Sequence, residues 1–262
     1  MLRNGPGEIN RDSLLARTDS RLKLVGALIL ILVLTALQQI MIILALDLFL
    51  IGIAFSLGRL TVKQYLSAFA RILPFALIVI LPLVFWVPGN VIGGISTPVG
   101  RLTLTQEGLI RSAIIGLRFW GAATIGITVI STTSWEKTLW ALRRLGVPGL
   151  ILEIIQFTGR YGTLLVEEME NLRRAQRNRG FVMGKNLWNR ETVRAVGQVL
   201  GVLVIRSYDR AERVYRAMLA RGYTGEIYLL EEKSLTVGQF GSAGLLLLFS
   251  LVMILFDRGL LL

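Results

Sequence analysis

The sequence predicts an all-α integral membrane protein with about five transmembrane helices and further long helices in the cytoplasm. Three observations predict it. Hydrophobic residues make up 53% of the 262 positions and charged residues only 18%, against about a quarter charged in soluble domains. The apolar residues fall in long blocks, and the cations cluster in alternate connecting segments. With no cysteine and no histidine, the chain excludes disulfide frameworks, Cys/His zinc sites, thiol nucleophiles and every His-based acid–base mechanism. The formal charge of +12 favours anionic surroundings such as lipid headgroups, nucleic acid or an acidic protein face.

A helix that crosses a bilayer needs roughly twenty mostly apolar residues. The first span is predicted over Leu22–Leu37 and the second over Ile40–Leu57, a hairpin turning at Gln38-Gln39. The third runs from Ile72 to about Gly93, with Pro74 in its first turn and Pro82 and Pro88 kinking or ending it. Trp86 lies near its far end, where indole favours the headgroup layer. The fourth covers Leu109–Ser131, interrupted by Arg111 and Arg118, and the last Val237–Phe256. No small-residue cleavage site follows the first apolar stretch, so a cleavable signal is not expected.

Cations orient the spans. Arg3, Arg11, Arg17, Arg21 and Lys23 precede the first, and Arg59, Lys63 and Arg71 separate the second from the third. The stretch Trp135–Thr236 holds more Arg and Lys than the rest of the chain together. The other side has Gln38-Gln39, a Gly/Pro-rich loop Pro88–Gly108 whose only cation is Arg101, and Asp257-Arg258-Gly259. The positive-inside rule then makes the N-terminus cytoplasmic and the C-terminus extracytoplasmic. The expected organisation is a four-helix membrane region over 1–132, a cytoplasmic domain over 133–236 and a final span over 237–262. Charges inside a span are costly unless matched. Two readings cover Asp47, Arg111 and Arg118. In one they form a polar seam toward another subunit. In the other Arg111 snorkels outward while Arg118 pairs with Asp47.

In the cytoplasmic segment Ser134 can cap a helix that carries Glu136 in its first turn and stops at Gly146-Val147-Pro148-Gly149. A second helix is predicted from about Leu150 to Arg179, with Ile154, Tyr161, Leu165, Met169 and Leu172 at helical spacing. Glu170 and Arg174 make a favourable i,i+4 pair. A third runs from about Glu191 to Arg221, with Val204, Tyr208, Ala211, Tyr215 and Met218 backed by Arg206, Arg210, Arg213 and Arg216.

The ends of these two helices match. One reads Arg174-Ala175-Gln176-Arg177-Asn178-Arg179-Gly180-Phe181 and the other Arg216-Ala217-Met218-Leu219-Ala220-Arg221-Gly222-Tyr223. Gly beyond a helix end and Arg in its last turn are ordinary capping chemistry. A cap requires neither the Arg-Ala pair five residues upstream nor an aromatic on both occasions. Two such cationic ends suit two equivalent acidic pockets, as on a pseudo-symmetric or dimeric partner.

These paired Arg-Gly ends after four spans resemble the transmembrane T component of energy-coupling factor (ECF) transporters, a class of ABC importers. Further matching segments are Thr18-Asp19-Ser20-Arg21-Leu22-Lys23-Leu24, Leu104-Thr105-Gln106-Glu107-Gly108-Leu109 and Leu145-Gly146-Val147-Pro148. The stretch Arg206–Gly225 is similar to the cobalt/nickel branch, CbiQ. Asp19-Ser20-Arg21 stands where the family often has Asp-Pro-Arg.

The resemblance implies a non-catalytic subunit whose two long helices are coupling helices. Their tips, Asn178-Arg179-Gly180 and Ala220-Arg221-Gly222, would dock in grooves on two ATP-binding ATPase subunits. An arginine can pair bidentately with a carboxylate there, and glycine lets the backbone fit tightly. ATPase closure would then move a substrate-binding membrane subunit, CbiM-like, within the lipid bilayer. ATP and Mg are expected on the ATPases and no cofactor or catalytic residue on this chain. Cobalt and nickel favour imidazole and thiolate ligands, so the metal cargo is expected on a partner.

Three alternatives belong to other classes. A membrane-anchored basic module would hold anionic lipid or nucleic acid, with binding spread over Arg173 to Arg216; the importer reading involves no nucleic acid. A membrane enzyme would use Glu153, Glu167 and Glu168, which nothing in the sequence gathers around a pocket. An autonomous channel or carrier would need more intramembrane polar groups than the spans contain. Nickel or vitamin cargo is open beside cobalt.

Overall fold

A computed structural model describes residues 13, 15, 18–97, 100–180, 190–225, 244, 248–249 and 252–257, with the backbone alone over 91–104. The chain divides into two compact units, Met1–Ala141 with Glu231–Leu262, and Leu142–Leu230. Arg3, Arg11, Arg17, Phe181 and most of the predicted span Val237–Phe256 lie outside the described residues.

The first unit contains helices α1 (Ser20–Ala36), α2 (Ile40–Ser56) and α3 (Val62–Trp86), strands β1 (Val91–Thr97) and β2 (Gly100–Thr105), and helix α4 (Gln106–Thr132). Helix α5 (Trp135–Arg144) begins in this unit. Asp19 opens α1, its carboxylate accepting from the Arg21 amide at 2.8 Å. Among the described residues, α3 and α4, of 25 and 27 residues, are long and apolar enough to cross a membrane. Helix α2 is apolar over 17 residues, the lower end of the crossing range of about 17–25. Leu32, Leu48, Phe75 and Ile78 point their apolar side chains outward, a pattern that lipid accommodates and water does not.

Helix α4 is the hub, touching α1, α2 and α3. Val33, Leu34 and Leu37 pack with Ile42, Ile43, Leu46 and Leu50 of α2 and with Ile125 of α4. Phe249, Met253 and Ile254 lie against this cluster. A second cluster joins Ala54, Leu60, Tyr65 and Ile127. Beside it, the Tyr65 hydroxyl accepts from Trp120 Nε1 at 3.0 Å and lies 2.8 Å from Thr124 Oγ1. These polar atoms are satisfied by one another, as burial requires.

Three expectations are corrected here. Pro74 lies well inside α3, not in its first turn, because the helix starts at Val62. Its start is set by a capping box, in which Thr61 receives the N3 amide while Gln64 Oε1 accepts from the Thr61 amide at 3.2 Å. The segment read as a loop folds as an antiparallel hairpin that pairs Ile95 with Leu102 and Thr97 with Gly100, within a fold that is otherwise helical over the described residues. Val91, Ile92, Ile95 and Thr97 are β-branched, which favours an extended backbone. Thr105 ends the hairpin and caps α4, accepting from the Gly108 amide at 3.2 Å.

The third correction concerns the intramembrane charges. Arg118 does not pair with Asp47. Its Nη2 donates to the Leu37 carbonyl at 2.6 Å, at the electronegative end of α1. Asp47 is buried, and among the described residues neither of its carboxylate oxygens has a hydrogen-bond partner. Gly121 of α4 makes room for it: a Cβ there would strike the Asp47 carboxylate and lie 2.6 Å from Leu34 Cδ2. Arg111 is exposed near the start of α4. Lys23 Nζ donates to the Thr132 carbonyl at 3.2 Å, closing the far end of α4. At the α1–α2 turn the Asp257 carboxylate accepts from the amides of Gln38 and Gln39, each at 3.0 Å, so this turn and the end of the last predicted span share one end of the unit.

The Gly121 contact makes a direct prediction. Gly121→Val overpacks the α1–α2–α4 junction and lowers stability by about 1–3 kcal/mol. A matching fall in thermal midpoint in detergent checks it; an unchanged midpoint refutes the contact.

Candidate functional site

The second unit is built on two long helices, α6 (Gly149–Asn178) and α7 (Arg190–Ala220), which pack on each other. Proline at the α6 N-cap and the Gly146-Val147 turn before it set the start. The expected stripes hold only in part: Ile154, Val204 and Tyr208 are exposed, and on α7 the inward face also takes in Ser207, Val214 and Arg210, the last expected on the cationic side. Tyr161 and Leu165 of α6 meet Ala211 and Met218 of α7 around a cavity of about 390 Å³, with Phe157 and Tyr223 completing its wall. Arg206 of α7 forms an ion pair with Glu168 of α6. The predicted Glu170–Arg174 pair is present at 3.4 Å, on a solvated face where such a pair contributes only a few tenths of a kcal/mol.

The two helix ends are closed by one device. An α-helix leaves its last carbonyls without partners, and a residue with positive φ can turn the following amides back onto them. Gly180 has φ +78° and Gly222 φ +81°. The Gly180 amide donates to the Arg177 carbonyl at 2.9 Å, and the Gly222 amide to Leu219 at 3.0 Å. At the second end the Tyr223 amide also reaches the Met218 carbonyl at 3.0 Å, completing a Schellman motif. Met218 and Tyr223 both line the cavity, as the hydrophobic contact of that motif requires.

This closure spares the arginines. Because backbone amides satisfy the terminal carbonyls, Arg179 and Arg221 need not bend back to do so. Asn178, Arg179, Gly180, Ala220, Arg221 and Gly222 are all exposed. Among the described residues neither Arg179 nor Arg221 forms a salt bridge. A guanidinium in this setting offers donors in a planar fork suited to a carboxylate.

One feature of the second end has no signal in local spacing. Tyr223 Oη donates to Glu153 Oε2 at 2.9 Å, joining residues 70 positions apart. Glu153 is buried near the start of α6. Of the carboxylates considered as enzyme candidates, Glu153 and Glu168 are thus held in helix–helix contacts. Among the described residues no group of three His, Cys, Asp or Glu side chains could hold a metal ion.

Comparison with known proteins agrees with this architecture. Residues 11–231 match the CbiQ family, described as cobalt transport protein. The chain is 29% identical over 158 residues to the cobalt transport protein CbiQ of Rhodobacter capsulatus, covering 60% of this chain and 63% of that one. It is 27% identical over 223 residues to the energy-coupling factor transporter transmembrane protein EcfT of Bacillus subtilis, covering 81% and 82%. An uncharacterised protein of Methanocaldococcus jannaschii is 28% identical over 252 residues, covering 95% and 84%.

The closure geometry is testable apart from any partner. Gly180→Ala and Gly222→Ala place a Cβ on a left-handed backbone, a strain of about 1 kcal/mol or more at each end. Hydrogen exchange in the final turn of the altered helix should accelerate roughly fivefold or more, since 1.4 kcal/mol corresponds to tenfold. Wild-type protection in both variants would show that positive φ is not required.

Proposed function

The chain belongs to the CbiQ cobalt transport protein family and is a non-catalytic transmembrane component of the ECF type; from that premise we propose that its two Arg-Gly helix ends couple ATP hydrolysis to import. Asn178-Arg179-Gly180 and Ala220-Arg221-Gly222 dock in grooves on two ATPase subunits, each arginine meeting a carboxylate. The observation that carries this reading is the duplication of one end structure: an exposed arginine followed by a glycine at φ near +80°, at the end of each long helix. A paired motif suits a partner with two matching sites.

In this reading ATP and Mg stay on the ATPases. Closure of the ATPase pair displaces both helix ends, and α6 and α7 transmit the movement as stiff rods. A separate CbiM-like membrane subunit holds the cargo, which we assign as cobalt ions from the family description. The absence of histidine and cysteine supports a cargo site elsewhere, since imidazole and thiolate are preferred ligands of such ions. The N-terminus and the unit carrying α6 and α7 face the cytoplasm, which the clustering of cations supports. The chain spans the plasma membrane several times, with its C-terminus outside.

A basic module acting on anionic lipid or nucleic acid spreads its binding over the whole cationic stripe, whereas docking concentrates it at two arginines. Arg179→Glu and Arg221→Glu should each lower recovery of the ATPases with the purified full chain by at least about tenfold, the scale of a disrupted docked charge pair. The double variant should abolish cobalt uptake, while Arg173→Glu and Arg213→Glu change recovery less than about threefold. Normal uptake by the double variant at normal membrane abundance defeats the assignment.

A further inference from the structure

The two helix ends share an Arg-Ala pair and, five residues on, an Arg-Gly pair followed by an aromatic, and those aromatics differ, Phe181 in one and Tyr223 in the other. The difference is one hydroxyl, and the structure gives that hydroxyl a partner. Tyr223 Oη donates to Glu153 Oε2 at 2.9 Å. Glu153 lies on the first turns of α6 and is 7% exposed, so its carboxylate is a shielded acceptor that is costly to leave without a donor. The ring of Tyr223 meanwhile closes the apolar cavity against Phe157 and Tyr161. Tyr223 is thus anchored at both its polar tip and its apolar body, only two residues beyond Arg221.

Phenylalanine has no donor, so the first end cannot form this bond whatever its surroundings. We infer that Tyr223 is a positioning residue, which through Glu153 pre-organises the Arg221 end and makes it the firmer of two inequivalent ATPase anchors. The inference rests on the docking role proposed above and deepens it. Fixing a group in its bound orientation removes ordering entropy from the docking step, and the Arg221 end gains that advantage through a contact unavailable to the Arg179 end. The backbone contributes as well, because the Tyr223 amide already closes the Schellman motif on Met218. The side chain then fixes the direction in which this closed turn points.

The experiment uses the full chain co-expressed with its ATPases and its membrane partner. Tyr223→Phe should weaken ATPase retention about three- to tenfold, the range expected for one lost hydrogen bond. Glu153→Gln keeps an acceptor oxygen and should stay within about twofold of wild type. Glu153→Leu should lose retention, and adding Tyr223→Phe to it should cost nothing more, since both changes break one bond. Additive losses, or wild-type retention in Tyr223→Phe, overturn the inference.

A second measurement separates this from failure of the docking reading. The chain has no cysteine, so a single spin label can be placed by Thr224→Cys or Asn178→Cys, both at exposed positions. Without any ATPase present, Tyr223→Phe should mobilise the label at 224 and leave the label at 178 unchanged. An equally immobile label at 224 overturns the anchoring, even where Arg221→Glu abolishes retention. Full retention in Arg221→Glu overturns the docking role instead, whatever the label reports.

Discussion

A helix that stops in water leaves carbonyls that attract whatever donor is nearest, and in the second unit that donor is the backbone itself. Gly180 and Gly222, at φ +78° and +81°, turn the chain so that amides close the ends of α6 and α7. Without that turn, the arginines beside them would be the natural donors for the negative helix termini. Because the glycines take over this task, Arg179 and Arg221 remain exposed with their guanidinium donors directed to other uses. The exposure of both arginines therefore begins with the stereochemistry of a residue that has no side chain.

In the first unit the same end-chemistry is handled by long side chains. Lys23 reaches the Thr132 carbonyl at 3.2 Å and Arg118 reaches the Leu37 carbonyl at 2.6 Å. Each places a cation at a helix C-terminus, where the dipole favours it. Where lipid replaces water, an unsatisfied carbonyl costs several kcal/mol, so these donors are structural necessities of the hub around α4. Asp47 differs. Gly121 gives its carboxylate room, yet no described donor meets it. It is the clearest departure in this unit from the rule that buried polar groups are paired.

Much of this organisation can be read directly from sequence. Long apolar runs set the helices, Ser134 marks a helix start, and the Arg-Gly repeat marks the ends of α6 and α7. Features that depend on two distant segments could not be read in that way. The Tyr223–Glu153 bond joins residues 70 apart, and neither residue carries a local pattern that names the other. The hairpin over 91–105 was obscured because Gly93 and Gly94 weaken a strand signal that its β-branched neighbours carry. The Asp47–Arg118 expectation failed through charge reasoning alone. Opposite charges in one bundle suggest a pair, but a helix terminus within reach of the guanidinium is also negative and won the competition.

The carboxylate that closes the Gln38–Gln39 turn belongs to Asp257, 218 positions beyond Gln39. A ribosome making this protein therefore releases the first two helices long before it releases the acid that caps the turn between them. Until Asp257 emerges, the amides of Gln38 and Gln39 must find another acceptor, such as interfacial water.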